Sequence, residues 1–216
     1  MLIVVPIFFQ STDQMSEDAA ETSAPGFSAD EQDILWMLRV AQGDTVAFEQ
    51  LIEAHQTRVV GTIAKILGDE MDAEDIAQQV FIRIWNSASR YQPTAKFTTW
   101  LFKITRNLVF NELRRRKRHP AVNIEEPDEE RHFQMPDRTA PPPDVSMLDQ
   151  EMQAAIQRAI DSLPEIQRMA IVLRRYEDLS YEEIANVLSL SVPAVKSLLF
   201  RARGDLREKL QQYLEG

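Results

Sequence analysis

Six prolines fall at positions 120, 127, 136, 141, 142 and 143 of this 216-residue chain. Proline fixes φ and lacks an amide hydrogen, so no regular helix or sheet interior can run through that stretch. The same stretch carries the run EEPDEER, whose like charges repel one another and favour an extended chain. On both sides of it, apolar residues recur with a helical period. The sequence therefore predicts an all-α protein of two small helical domains joined by a flexible, acidic, proline-rich linker. The expected boundaries are a tail over 1–33, a first domain over 34–119, the linker over 120–148 and a second domain over 149–214.

Within the first domain, Ser28 and Glu31 form a capping-box pattern ahead of an apolar run, a helix start. Ile34, Leu35 and Leu38 make one apolar stripe, and Phe48, Leu51, Ile52, Val59, Val60, Ile63, Ile66 and Leu67 make others. Gly68 stops that helix. Asp72 is the expected N-cap of the next one, which carries Ile76, Val80 and Ile84 on one face. After the break SASRYQPTAKF, a last helix runs from about Thr98 to Arg118, ended by His119-Pro120. The second helical unit starts near Ser146.

Composition removes several function classes. The chain has no cysteine and three scattered histidines, His55, His119 and His132. No metal-ligand spacing or cysteine chemistry is present, and a chain of this kind suits a reducing cytosol. None of the six glycines forms a phosphate-cradling loop. Asp72, Glu74 and Asp75 are paired acids without a nucleophile or histidine beside them, so no catalytic residue, metal or cofactor is expected. The opening MLIVVPIFFQ is too short to span a membrane and lacks a signal peptide's basic n-region. It reads as a translation-start artefact within residues 1–14, with Met15 as the true start, or as a surface-active tail.

Charge is segregated. The formal net charge is −10, yet residues 86–118 carry nine bases and one acid. The acidity resides mainly in residues 1–33 and 119–151, each with a net −7. A polyanion senses a local field over roughly 10 Å, so the basic segment is what it meets. This segment interleaves cations with rings: Arg90, Tyr91, Lys96, Phe97, Trp100, Lys103 and Arg106, then Arg114, Arg115, Arg116, Lys117 and Arg118. Single-stranded nucleic acid is held by that combination, bases stacking on rings while cations follow phosphates. Asn107 and Asn111, four residues apart on one helix face, offer amides to base edges.

Near the end, SYEEIANVLSLSVPAVKSLLFRAR (180–203) predicts a helix-turn-helix. Ser180 and Glu183 make a capping box, Ser189-Leu190-Ser191 a three-residue turn, and Ser191 an N-cap with Pro193 in the first turn. The second helix would enter the major groove, presenting Ser191, Lys196, Ser197, Arg201 and Arg203. Leu198 is open between a contact to a thymine methyl and packing. On the helix of residues 72–85, Gln78, Gln79 and Arg83 with Phe81 form a mixed polar and aromatic surface of the kind that meets another protein.

Taken together, these segments resemble the extracytoplasmic-function (ECF) group of bacterial sigma factors within the sigma-70 family. AQGDTVAFEQLIEAHQ resembles the opening helix of that family, and DAEDIAQQVFIRIW its core-polymerase-binding helix. YQPTAKFTTWLFKITRNLVFNELRRRKR resembles its promoter-melting and −10 segment, and LPEIQRMAIVLRRYEDLSYEEIANVL the lead-in to its −35 helix. The resemblance implies a cytoplasmic, dissociable promoter-specificity subunit without catalytic residues. Its implied partners are core RNA polymerase (the β′ clamp helices and the β flap), promoter DNA and an anti-sigma factor, with no membrane insertion of its own. Asp72, Glu74, Asp75, Gln78, Gln79, Phe81 and Arg83 would meet polymerase. The cations, rings and amides of 90–118 would meet the −10 element, and the second helix of the motif the −35 element. Lys196 stands where arginine is common and gives up bidentate guanine recognition. The competing reading is a helix-turn-helix regulator that binds operators without polymerase, which would be a dimer on a palindromic site.

Overall fold

The computed structural model describes residues 28–118 and 143–214. Residues 1–27 of the expected tail 1–33, with the start-site reading, and most of the linker lie outside the described residues, while the end of that tail, from Ala29, is already helical because Ser28 caps it. Among the described residues are eight α-helices: α1 (Ala29–Val40), α2 (Thr45–Leu67), α3 (Glu70–Ser87), α4 (Phe97–Arg118), α5 (Pro143–Asp161), α6 (Glu165–Arg175), α7 (Tyr181–Leu188) and α8 (Val192–Leu214). A short 3-10 turn, Ala88–Arg90, links α3 towards α4.

Local chemistry sets the helix ends. The Ser28 amide donates to Glu31 Oε2 at 2.8 Å while the Glu31 amide donates to Ser28 Oγ at 3.3 Å, the expected capping box. Asp44 caps α2 by accepting from the Ala47 amide at 3.1 Å. Gly68 ends α2 at φ 71°, a left-handed conformation that costs a side chain strain. α3 starts three residues earlier than the sequence suggests. Its cap is Asp69, whose Oδ1 accepts from the Asp72 amide at 3.3 Å, so Asp72 is inside the first turn. α5 begins at Pro143 rather than near Ser146, proline being well suited to a first helical turn.

The first unit is built around α2, which packs on α1, α3 and α4. Its centre is Leu51, Ile63, Ile66, Ile84, Phe97, Leu101 and Phe102, all fully buried. Each such side chain contributes about 1.5–3 kcal/mol by leaving water. α1 turns a different face inward from the one its stripe suggests. Met37 and Val40 are buried, whereas Leu35 and Leu38 are exposed. Asp33 sets that rotation: its Oδ1 lies 2.9 Å from Nε2 of the buried His55 on α2. The second unit closes Ile160, Met169, Leu173 and Ile184 into a core between α5, α6, α7 and α8.

The two units also pack on each other, α2 against α6 and α5, and α4 against α7. The sequence suggests domains that hang free on a tether. The docked arrangement has a polar cause, because Glu177 at the α6–α7 turn is buried and is satisfied by Arg58 and Thr62 of α2.

Candidate nucleic-acid interface

α3 and α4 diverge on their outer side and leave a groove of about 740 Å³. Arg90, Trp100, Lys103, Asn107 and Asn111 line it from the turn and α4, and Gln79, Ile82, Arg83 and Asn86 from α3. Trp100 is half-buried, and Arg90, Lys103, Asn107 and Asn111 are exposed. The groove thus joins an aromatic wall, amide hydrogen-bonding groups and cations, which are the parts that a splayed-out base and its phosphate require.

Some residues read as DNA contacts are elsewhere. Phe97 is fully buried and Tyr91 is 8% exposed. They belong to a ring cluster in which Tyr91 lies 5.1 Å from Trp100, Phe97 6.0 Å from Trp100 and His55 5.2 Å from Phe97. Packing of the loop onto the core claims them, and Trp100 is the ring that reaches the groove. Burial raises the Tyr91 hydroxyl above the usual phenol range, with the Asp33 charge adding to it. Lys96 Nζ lies 3.4 Å from Glu183 and 3.5 Å from Asp30. The Glu183 and Asp30 charges raise the Lys96 ammonium above its ordinary value. Arg106 donates to the Leu188 carbonyl at 3.2 Å. Its guanidinium is lowered, first by burial and then by the charge of Arg114.

The cation run at the end of α4 is not uniform. Arg115 donates to Glu112 through both Nε and Nη2 at 2.7 Å. Arg116 reaches Glu112, Asp72 and the Leu67 carbonyl. Glu112 is held below the usual carboxylate range, by the Arg115 hydrogen bond first and the Arg116 bond also, against an opposing effect of burial. Lys117 pairs with Glu165 at 2.7 Å. Arg114 and Arg118 are exposed, and Arg118 Nε donates to the Arg114 carbonyl at 3.3 Å.

On α3, Glu74, Asp75, Gln78, Gln79 and Arg83 are exposed on one surface. Asp72 is drawn off to Arg116, and Phe81 is 7% exposed and belongs to the core. The exposed apolar group of that surface is Ile82 at 58%, with Met71 at 79% at its start. The signal for Ile82 was in the sequence: it is an isoleucine outside the Ile76/Val80/Ile84 stripe. Trp85, at 36%, rests its ring 5.0 Å from Phe48.

In the helix-turn-helix, the Ser180 amide donates to Glu183 at 2.7 Å and the Glu183 amide to Ser180 Oγ at 3.2 Å. Ser189 adopts φ 58° at the turn, and the Leu190 amide closes it on the Ala185 carbonyl at 2.9 Å. Ala185 and Val195 are buried where the helices cross. Ser191 Oγ accepts from the Ala194 amide at 3.4 Å. Ser191, Lys196, Ser197 and Arg201 are exposed, Arg203 is half-buried, and Leu198 packs against the core. Phe200, one turn beyond Lys196, is 79% exposed and was missed from sequence. It lies on the outer face of α8 between the cations.

Family comparison identifies the two helical units. Residues 51–119 match the model of sigma-70 region 2, and residues 153–206 match that of sigma-70 region 4. The RNA polymerase sigma-H factor of Pseudomonas aeruginosa is 34% identical over 186 residues, covering 85% of this chain and 96% of that protein. The chain belongs to the sigma-70 family. The ECF RNA polymerase sigma-E factor of Escherichia coli is 33% identical over 175 residues, covering 80% of this chain and 91% of its own length. This places the protein in the ECF group, as its motifs suggest. Among solved structures, CnrH in complex with the cytosolic domain of CnrY matches at TM-score 0.62 and 25% identity, over 84% of this chain and 98% of CnrH. The fold is also that of the Bartonella quintana sigma factor RpoE, with TM-score 0.60 and 23% identity over 76% and 96% of the two chains.

This sigma factor binds core RNA polymerase and directs promoter-specific initiation by reading −10 and −35 elements; an operator-binding regulator has no support in these matches. Region 2 is the unit of the groove and region 4 that of the helix-turn-helix. Among the described residues no group of histidine and acidic side chains is arranged to hold a metal, and no single helix is long and apolar enough to cross a membrane.

Proposed function

We propose the following division of labour for this ECF sigma factor. The outer face of α3, with Glu74, Asp75, Gln78, Gln79 and Ile82, docks on the β′ clamp helices. Ile82 supplies the apolar anchor and the polar groups form its rim. Trp100, Lys103, Asn107 and Asn111 take up an extruded base of the −10 element, with Arg83 and Arg90 on the adjoining phosphates. Lys196, Ser197, Phe200 and Arg201 face the −35 duplex, with Ser191 at the helix start towards the backbone.

The observation that carries this reading is the groove itself. It is recessed, has one aromatic wall and carries two amides one helical turn apart, which suits an unstacked base more than an intact duplex. The protein has no catalytic role of its own; polymerase performs the chemistry, and the factor works in the cytoplasm. An anti-sigma partner is part of the reading, because the related CnrH was captured with the cytosolic domain of another protein.

Run-off transcription tests the reading. Core polymerase lacking any sigma factor is mixed with this chain and fragmented genomic DNA, and the 5′ ends are sequenced. The expected result is discrete starts sharing two spaced upstream motifs. Core binding without starts would reject the promoter-reading role, and loss of core binding would reject the assignment of α3.

A further inference from the structure

Three helix ends meet at one guanidinium. α2 stops at Leu67, α3 starts at Glu70 and α4 runs out at Arg118. The last three carbonyls of α2 have no partners inside the helix, and each accepts from a side chain: Lys65 from Gln157 Nε2 at 3.3 Å, Ile66 from Arg168 Nη1 at 2.7 Å and Leu67 from Arg116 Nη1 at 3.2 Å. Arg116 does more than close that end. Its Nη2 donates to Asp72 in the first turn of α3 and lies 3.8 Å from Asp69, the cap of that helix. Its Nε donates to Glu112, one turn back on α4, at 3.2 Å. The carbonyl end of α2 carries partial negative charge, and α3 starts with two carboxylates, so one cation serves both. The planar fork of arginine sends donors in these separate directions, which the single point of a lysine ammonium does not.

The same arginine stands apart from its neighbours in the cation run. Lys103, Asn107, Asn111, Arg114 and Arg118 follow one another at helical spacing, so they share one stripe of α4, and all are exposed. That stripe leads out of the groove, whose α4 wall includes Lys103, Asn107 and Asn111. Glu112 and Arg116 form a second stripe, and both are half-buried. Away from the loop, the groove is bounded by Asn111 on α4 and Gln79 on α3. Arg116 is five residues past the first and Asp72 seven before the second, about 7.5 and 10.5 Å along the helix axes. The tie therefore crosses from α4 to α3 just beyond the groove and fixes how far the two helices stand apart there.

We propose that Arg116 is a positioning residue for −10 reading and not a DNA contact. By joining the ends of α2, α3 and α4 it sets the width of the groove at Asn111, while Arg114 and Arg118 carry the exposed stripe on to duplex phosphates. Asp72 is its counterpart on α3 and serves the groove rather than polymerase. The proposal rests on the base-reading role given to the groove above. The cation run thus divides between two tasks that its sequence does not distinguish.

The full chain is assembled with core polymerase, and its binding to a promoter fragment with a single-stranded −10 element is followed by anisotropy over a range of salt. Each lost phosphate contact lowers the slope of log K against log salt by about 0.7–0.9. Arg118→Gln is expected to show that drop. Arg116→Gln is expected to weaken binding on the order of tenfold with the slope unchanged. Arg116→Lys should weaken it as much, because the charge remains and the fork is lost. A lowered slope in Arg116→Gln, or full binding in Arg116→Lys, would make Arg116 a phosphate contact and overturn the proposal. A second substitution separates positioning from a merely structural role. Asn111→Ala should cost much less in the Arg116→Gln background than in the wild type, whereas Lys103→Ala, at the other end of the stripe, should cost the same in both. Equal costs of Asn111→Ala in the two backgrounds would overturn the positioning role. If Arg116→Gln does not fold, Asp72→Asn breaks the same tie from α3 and must give the same pattern. Asn111→Ala without effect in the wild type would reject the base-reading role of the groove, an outcome distinct from additive losses, which would reject the role of Arg116 alone.

Discussion

Region 2 carries a recess on its outer side and region 4 a ridge. The recess lies between α3 and α4, and its working groups, Trp100, Lys103, Asn107 and Asn111, converge on one space. The ridge is the outer face of α8, where Lys196, Ser197, Phe200 and Arg201 point outward in succession. A recess accepts a base that has left the stack, whereas a ridge fits the groove of a duplex that stays closed. On the proposed reading, the difference between them gives melting to region 2 and duplex recognition to region 4.

The largest effect should separate, or fail to separate, the two regions as folding units. Leu101→Ala removes a fully buried side chain of region 2 and should cost about 2–5 kcal/mol. The three tryptophans, Trp36, Trp85 and Trp100, all lie in the first helical unit. If the regions melt as one body, tryptophan fluorescence and far-UV circular dichroism will shift together in a denaturant series. A region 4 transition left at its original midpoint would show that docking adds little to folding.

Next comes the recess. Asn107→Ala with Asn111→Ala should reduce specific transcripts by roughly 10- to 100-fold, since a good amide–base contact discriminates by about 1–3 kcal/mol. Core binding should be unchanged, which a pull-down checks. Equal loss on promoters with altered −10 bases would mean that the amides do not read sequence.

The ridge should be more forgiving. Phe200→Ala removes an exposed ring and should weaken binding to duplex −35 sites a few-fold, with no change in melting temperature. Anisotropy on duplex oligonucleotides would read it, and a comparable loss on single-stranded −10 DNA would contradict the division between the two surfaces.

The smallest effect concerns acid. Burial acts to raise the Glu183 carboxyl, but the Ser180 amide and hydroxyl and the Lys96 ammonium outweigh it, and the net shift is downward. A depressed carboxylate contributes stability that is complete above its unfolded value of about 4.3 and is lost as pH falls through the lower folded value. The stability of the α7 cap in region 4, followed by circular dichroism, should therefore hold from neutrality to about pH 5 and decline below pH 4. A decline already under way near neutrality would assign the loss to other groups. Lys96 is exposed enough that its share is small.

Periodic and capping signals were legible in the sequence. Ser28, Gly68 and Ser180 end or begin helices where their chemistry says they should, because these are short-range interactions. Faces were harder. α1 rotates to bring Asp33 to His55, a partner 22 residues away, and no local pattern announces that pairing. For the same reason Tyr91, Phe97 and Phe81 read as surface rings and lie in the core. Phe200 shows the opposite error, an apolar residue on a helix with an apolar stripe that faces solvent. The docking of the regions was also invisible, since it depends on residues such as Arg58 and Glu177, which are 119 positions apart.

The side chains of Gln157 and Arg168 that finish α2 bear on how this chain can be recombined. A region 2 cut free at the linker would present the Lys65 and Ile66 carbonyls to water. Exchanging region 4 for that of a relative would need the incoming segment to bring its own amide and guanidinium to the same places. The two halves fit as a matched pair, and chimeras that respect only the family boundaries would lose the match.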